Sequence, residues 1–244
     1  MPDMKAIGVI PSRYASTRFP GKPLALIKGK TLIERVWRQA KKSRLLDDVL
    51  IATDDRRIAD RAQSFGAHVV MTSRSARSGT DRLAEVARKR ALPNDIFINI
   101  QGDEPLISPR LIDRLVQELR KDKGLMVVTA VVPMTDAREI DSPHVVKAVV
   151  DARGFALYFS RWAVPFHRSR GKVRYFKHLG IYGYRKKFLL LYSSMAQTPL
   201  ERAEELEQLR ILENGFKIKT VVSADDSYGV DTPNDIRRIE RCLS

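Results

Sequence analysis

Within the first ~120 residues, short apolar runs alternate with amphipathic segments, and that alternation leaves the chain very few folds to adopt. Ala6 to Ile10 and Ile96 to Ile100 are apolar throughout, as in strands buried on both faces of a sheet. Asp48 to Thr53 and His68 to Met71 read as two further strands. Between them, apolar spacing predicts helices. One runs from the Thr31 N-cap to about Lys42, with Leu32, Val36 and Trp37 on one face. A second is capped by Asp54-Asp55, buries Ile58, Ala59, Ala62 and Phe65, and stops at Gly66. A third covers Arg82 to Arg90, and a fourth runs from Ser108-Pro109 to about Lys121. Strands and helices alternating through short connections imply an α/β fold with a doubly wound, mostly parallel sheet and right-handed crossovers. Such sheets bind ligands at the carboxyl ends of their strands. Three polar features fall there: the loop after the first strand, the Ser78-Gly79-Thr80 loop and Asp103.

The first loop carries the strongest chemical signal. Pro11 ends the strand, and Arg13, Arg18 and Lys22 follow among small hydroxylated residues and two more prolines that restrict the backbone. Guanidinium groups match phosphate oxygens bidentately, and a lysine supplies a point charge for a leaving group. Gly21-Lys22 does not complete a Walker phosphate loop, because Ser16 stands where that motif needs glycine and Pro23 blocks its helix. The loop is a cationic clamp of another design. A triphosphate held by it calls for a divalent ion, and magnesium needs only one or two carboxylates beside phosphate and water. Asp103 and Asp231 meet that requirement, although each also suits a turn or an N-cap. No His or Cys cluster suggests zinc. Backbone N–H groups beside Ser78, Gly79 and Thr80 lie where a ligand meets a helix start.

Beyond Met126 the rhythm changes. Val127 to Val132, Val145 to Val150 and Gly154 to Ser160 read as strands, and Arg168 to Arg174 as a basic, mobile loop. In His178 to Tyr184, alternation puts His178, Gly180, Tyr182 and Tyr184 on one face. Thr198-Pro199 opens a helix over Leu200 to Glu213, ended by Asn214-Gly215. Lys217 to Val222 is a strand, and a terminal helix reaches Cys242. No repeat or linker divides the chain, so residues 1–244 form one domain.

Lys and Arg outnumber Asp and Glu by 44 to 29, a net charge of +15. That excess attracts anions without choosing among nucleic acid, lipid and phosphorylated substrate. The cations are scattered, and no nucleic-acid-binding motif accompanies them, so stable nucleic-acid binding is not expected and the excess reads mainly as solvated surface. The single cysteine, Cys242, has no bridging partner. Met1 to Lys5 is too short and polar for a secretory leader, and no apolar run approaches the ~20 residues needed for a membrane span. The expectation is a cytoplasmic protein without membrane insertion.

Seven segments in order carry a resemblance: residues 8–24 of the first loop, Ser-Gly-Thr-Asp-Arg-Leu (78–83), Gln-Gly-Asp-Glu-Pro (101–105), Ala-Leu-Tyr-Phe-Ser-Arg (156–161), His-Leu-Gly-Ile-Tyr-Gly-Tyr (178–184), Leu-Glu-Gln-Leu-Arg (206–210) and Gly-Val-Asp-Thr-Pro (229–233). Together they resemble the 3-deoxy-manno-octulosonate cytidylyltransferase family, across nearly the whole chain. The resemblance implies a sheet of the nucleotide-diphospho-sugar transferase type with a mixed-strand portion for sugar binding and dimerisation. Residues 1–125 would serve mainly CTP, and residues 126–200 mainly the sugar acid and a homodimer interface. It implies that Arg13, Arg18 and Lys22 hold the triphosphate of CTP, that Ser78, Gly79 and Thr80 seat its cytidine, and that Asp103 and Asp231 bind magnesium. Gln101, Arg161, His178, Tyr182, Glu207 and Gln208 would line the pocket for 3-deoxy-manno-octulosonate (Kdo). Arg18, Lys22 and Asp103 would carry catalysis of CMP transfer, with pyrophosphate leaving, in lipopolysaccharide biosynthesis. A related branch acts on an 8-amino form of the sugar, and Phe19-Pro20, Asp81, Phe166 and Lys177-His178 resemble it; the Gln101 and Gly229 segments favour Kdo.

Overall fold

The apolar runs become the middle of one twisted sheet. The structure, a computed structural model, describes residues 4–15, 19–76, 78–89, 96–168 and 173–243. Its first part comprises β1 (Ala6–Ser12), β2 (Leu26–Ile27), β3 (Lys30–Thr31), α1 (Leu32–Ala40), β4 (Asp48–Thr53), α2 (Arg56–Ser64) and β5 (His68–Met71). There follow α3 (Gly79–Lys89), β6 (Ile96–Asn99), α4 (Pro109–Lys121), β7 (Val127–Met134), α5 (Ala137–Asp141), β8 (Lys147–Val150) and β9 (Ala156–Ser160). The chain closes with β10 (Tyr175–Arg185), α6 (Lys186–Tyr192), α7 (Pro199–Glu204), α8 (Gln208–Glu213), β11 (Ile218–Val222) and α9 (Pro233–Cys242).

Among the described residues the main sheet has nine strands, on the path β11-β7-β10-β6-β1-β4-β5, with β8 against β10 and β9 against β8. β1 pairs in parallel with β4 and β6, β4 with β5, and β11 with β7. β10 is antiparallel to both β6 and β7. The sheet is thus doubly wound and mostly parallel, with a mixed portion, as expected. Alternation within each buried strand supplies two cores. Ala6, Ile10, Ile96 and Ile98 face the residues of α1, α2, α4 and α9. Ile7, Val9 and Phe97 face those of α3, α6 and α8.

Three local departures from the sequence expectation shape the site. α3 starts at Gly79, three residues before the expected Arg82, because Ser78 and Asp81 cap it reciprocally: the Ser78 N–H donates to Asp81 Oδ2 and the Asp81 N–H to Ser78 Oγ, both at 3.2 Å. Ser78 to Thr80 is therefore a cap and first turn rather than a loop. The helix expected over Leu200 to Glu213 breaks into α7 and α8, with Glu205 in the left-handed region at φ 52°. A buried ion pair between Glu201 and Arg210 ties the two pieces together across the break. β10 carries a bulge: His178 and Leu179 oppose Val131 and Ala130, but Tyr182 opposes Thr129. Two residues are extra, so parity is kept and His178, Tyr182 and Tyr184 stay on one face. The expected end of α3 at Arg90, Arg18, and residues 169–172 of the basic loop lie outside the described residues.

At Gly183 the sheet leaves no room for a side chain. A Cβ there would stand 2.8 Å from Val128 Cγ1, 2.9 Å from Leu119 Cδ1 and 3.0 Å from Ile98 Cδ1. Gly183→Ala should therefore cost about 1–3 kcal/mol through overpacking, read as a lower urea midpoint at unchanged m-value. An unchanged midpoint would mean that α4 yields to the methyl group without cost.

Candidate active site

The first loop leaves β1 at Ser12 and turns back at Gly21, whose φ of 70° suits glycine and whose Cβ position lies 3.1 Å from the Tyr14 ring. The Gly21 N–H donates to Tyr14 O at 3.0 Å, and the Arg57 guanidinium stacks 3.3 Å from the Tyr14 ring centroid. This packing sets Lys22 at the start of a single 3-10 turn, Lys22–Leu24. The Lys22 ammonium donates to Asp103 Oδ2 at 2.7 Å and approaches Asp231 Oδ1 at 3.5 Å. Asp103 follows β6, where Gly102 passes so close to the first loop that a Cβ would meet Pro11 O at 2.9 Å. Asp231 precedes α9. Thr232, not Asp231, is the N-cap of that helix, in a capping box with Asp235, so Asp231 does not serve as the cap.

The segment bearing Asp231 is tied to the segment bearing Asp103. The Val230 N–H donates to Asp103 O at 2.9 Å, and the Ser227 hydroxyl to Glu104 Oε2 at 2.7 Å. Burial pushes the Glu104 carboxyl up to about 7, against the opposing effect of the Ser227 hydrogen bond. Lys177 pairs with Asp226 at 2.9 Å in the same segment. Two carboxylates from distant parts of the chain thus converge on one cation. Among the described residues no cluster of three or more His, Cys, Asp or Glu forms. The pair fits magnesium that draws its other positions from phosphate and water.

Around this cluster lies a cavity of about 350 Å³ lined by Ser12, Arg13, Lys22, Ser78, Gly79, Arg82, Gln101, Asp103, Glu207 and Asp231 among others. A second cavity, of about 240 Å³, shares Gly79, Gln101 and Glu207 with it and continues past Thr80, Asn99, His178, Tyr182 and Gln208. The split between α7 and α8 points Glu207 into this junction, where its Oε2 accepts from Thr80 Oγ1 at 3.0 Å. Burial raises its pKa above the usual carboxylate range, partly offset by the Thr80 and Ser78 hydroxyls. Gln101 Nε2 donates to Gly180 O at 2.7 Å, in the bulge of β10. His178 Nε2 lies 3.1 Å from Thr129 Oγ1, and its ring meets Phe159 edge-on at 4.9 Å. Desolvation lowers its pKa to about 3, so the ring is neutral at pH 7.

Arg161 is not brought to either cavity. Its N–H and Nε donate to Glu204 Oε2 at 2.9 Å and Glu204 O at 2.8 Å, and Nη1 to Pro143 O at 3.2 Å. It pins the end of β9 to α7, and its guanidinium is committed to those carbonyls. Two residues not anticipated do line the first cavity. The Ser12 hydroxyl is buried and, among the described residues, has no hydrogen-bond partner. Arg82, 4 % exposed, donates to Thr72 Oγ1 at 2.7 Å and pairs with Asp54 at 3.0 Å. The signal for Arg82 is a cation on the helix face that also carries Leu83, Val86 and Ala87.

A family described as cytidylyltransferase matches residues 7–218. The 3-deoxy-manno-octulosonate cytidylyltransferase of Desulfosudis oleivorans is 49% identical over 243 residues, covering 99% of this chain and 98% of the relative. The chain belongs to this family. It is a nucleotidyltransferase by that membership. A solved structure of CMP:2-keto-3-deoxy-manno-octonic acid synthetase complexed with CTP superposes with a TM-score of 0.94 at 44% identity, covering 98% of each chain. A 4-diphosphocytidyl-2C-methyl-D-erythritol synthase, 12% identical with a TM-score of 0.68 over the full length of both chains, shares the fold.

The low pKa of His178 has a consequence for stability. The unfolded imidazole titrates near 6.5 and the folded one near 3, so the unfolded state binds the extra proton between those values. The contribution of His178 is complete above about pH 6.5 and is lost as pH falls toward 3, with a slope of at most about 1.4 kcal/mol per pH unit. Urea unfolding at pH 7, 5.5 and 4.5 should show a steeper loss for the wild type than for His178→Gln. Parallel losses would place the folded histidine near its ordinary pKa.

Proposed function

We propose that this protein transfers CMP from CTP to the anomeric hydroxyl of Kdo, releasing pyrophosphate and forming CMP-Kdo for lipopolysaccharide biosynthesis. The observation that carries this reading is the junction of the two cavities at Gly79, Gln101 and Glu207: one is lined by cations and paired carboxylates, the other by hydroxyls, amides, the His178 ring and the carboxylates of Glu205 and Glu207. The first suits a metal-bound triphosphate. The second suits a polyhydroxylated sugar. The family membership supports the same pair of substrates. Kdo is preferred to its 8-amino form because named relatives at 46–50% identity are 3-deoxy-manno-octulosonate cytidylyltransferases.

Phosphoryl transfer of this kind rests on alignment and charge neutralisation. Arg13 and Lys22, with Arg18 of the same loop, hold the phosphates. Ser78 and the first turn of α3 face the nucleoside with N–H groups and a hydroxyl. Asp103 and Asp231 would hold magnesium, which when bound would supply charge neutralisation at the phosphates. The Lys22 ammonium offers its charge to the departing pyrophosphate. Glu207, Gln101, Tyr182 and Gln208 orient the sugar so that its anomeric oxygen meets the α-phosphorus, and His178, neutral, adds no charge there. Among the described residues no helix is long and apolar enough to cross a membrane. We place the reaction in the cytoplasm, where CTP is available.

Leu157, Trp162 and Phe166, at 61%, 79% and 84% exposure, stand on β9 and the segment after it. Large exposed apolar side chains close in sequence suit a covered face, and we propose that a second copy of the chain covers them in a homodimer. Sedimentation should give a dimer at micromolar concentration and a shift toward monomer for Trp162→Glu; a wild-type monomer would remove this proposal. For the reaction, purified protein with CTP, magnesium and Kdo should release pyrophosphate. Asp103→Asn should lower turnover by about two orders of magnitude or more while circular dichroism remains unchanged. No release by folded protein with either sugar would defeat the assignment, and near-normal turnover of Asp103→Asn would remove Asp103 from the metal site.

A further inference from the structure

The four residues of β6, Ile-Phe-Ile-Asn, are all buried. Alternation sends Ile96 and Ile98 to one core, and Phe97 and Asn99 to the opposite face, beside α3. Asn99 has Val9 as its partner on β1 and Tyr182 on β10. At 3% exposure it occupies a position where its neighbours along the strand are isoleucine and phenylalanine. Its Oδ1 is sealed from solvent, and among the described residues it meets no hydrogen-bond donor. A buried carbonyl left unpaired opposes folding, and native proteins keep such groups where something outside the fold satisfies them.

Asn99 lines the second cavity, together with Thr80, Gln101, His178, Tyr182 and Glu207. Several of its neighbours are already engaged within the protein: Thr80 with Glu207, Gln101 with the Gly180 carbonyl, and His178 with Thr129. Among the described residues the Asn99 Oδ1 is not. We infer that Asn99 is a further specificity-determining residue, whose carboxamide pairs with a hydroxyl group of the sugar acid in the second cavity. This rests on the reading of that cavity as the sugar site. A carboxamide both donates and accepts, as a hydroxyl does, so the two groups pair without charge on either. A sugar lacking that hydroxyl leaves the buried amide as unpaired as it is in the free protein, and such sites reject the deficient analogue.

The experiment is a substitution cycle on the full-length enzyme, reading pyrophosphate release with Kdo and with each of its monodeoxy analogues. Asn99→Ala should raise KM for Kdo about tenfold, with KM for CTP changed less than twofold. Against one monodeoxy analogue, which the wild type itself uses poorly, Asn99→Ala should add no further penalty. An equal penalty on Kdo and on every analogue, or an equal rise in KM for CTP, overturns the assignment and leaves Asn99 a structural residue. If Asn99→Ala does not fold by circular dichroism, the same cycle is read on Asn99→Leu, which is close in size and removes both the donor and the acceptor. A wild-type enzyme that is active with another acceptor but inert toward Kdo overturns the sugar reading and this inference with it. Wild-type turnover of Kdo combined with an indifferent Asn99→Ala overturns this inference alone.

Discussion

The site is organised around two carboxylates brought together on one ammonium group. Asp103 and Asp231 reach Lys22 from positions 81 and 209 residues away in the chain. Like charges this close raise each other's energy unless a cation lies between them. Lys22 supplies such a cation, and the surrounding chain is arranged to support it. Tyr14 and Gly21 set the lysine, Gly102 lets the β6 loop pass beneath the first loop, and the Val230 N–H and Ser227 hydroxyl hold the last segment to the Asp103 loop. The same arrangement sets two carboxylates side by side at the cavity beneath the first loop.

The second cavity depends on two irregularities that a regular fold would have lost. The bulge in β10 is fixed by Thr129, whose hydroxyl lies 2.9 Å from the Ile181 carbonyl and 3.1 Å from His178 Nε2. Because two residues are inserted, the Gly180 carbonyl turns toward Gln101 while the aromatic face continues in register. Tyr182 and Tyr184 stack there at 5.6 Å, and Tyr184 and Phe188 at 6.4 Å. The break between α7 and α8 performs the matching task on the helical side. A continuous helix from Leu200 to Glu213 would not place Glu207 against Thr80; the left-handed Glu205 redirects the chain, and the Glu201–Arg210 pair sustains the turn.

The positive charge of the chain is not only a solvated surface. Arg185 donates to the carbonyls of Leu125 and Asp122, at 2.7 and 2.9 Å, and to Leu119, satisfying acceptors at the C-terminal end of α4 where a cation also meets the helix dipole. Lys147 lies fully buried against the carbonyls of Ser142, Val145 and Arg161, and desolvation lowers its pKa. Arg210 stacks 4.7 Å from the Tyr192 ring. These cations hold connections together, and part of the excess over acidic residues is structural.

Strand and helix alternation, the cationic loop after β1 and the two aspartates were legible in the sequence, because burial periodicity and residue chemistry are local properties. The fold class, the position of Ser78 to Thr80 at a helix start and the convergence of Lys22 with the aspartates agree with those local signals. The Ser78 and Asp81 pair that starts α3 at Gly79 stands in the sequence just ahead of the expected start at Arg82. Other features had no local signal. The resemblance gives Arg161 a place in the sugar pocket, yet the carbonyls of Glu204 and Pro143 claim its guanidinium. Glu207 looks like a solvated helix residue until a left-handed turn and a buried ion pair direct it inward. Asn99 is an ordinary strand residue until the packing around it leaves its Oδ1 buried and, among the described residues, without a donor. The sequence by itself determined which segments become strands and which charges crowd the first loop; the tertiary structure decided which polar groups are consumed by the fold and which are left for a ligand. Hydrogen bonding sets that division, because a polar group's partner depends on what distant chain segments bring within about 3 Å of it.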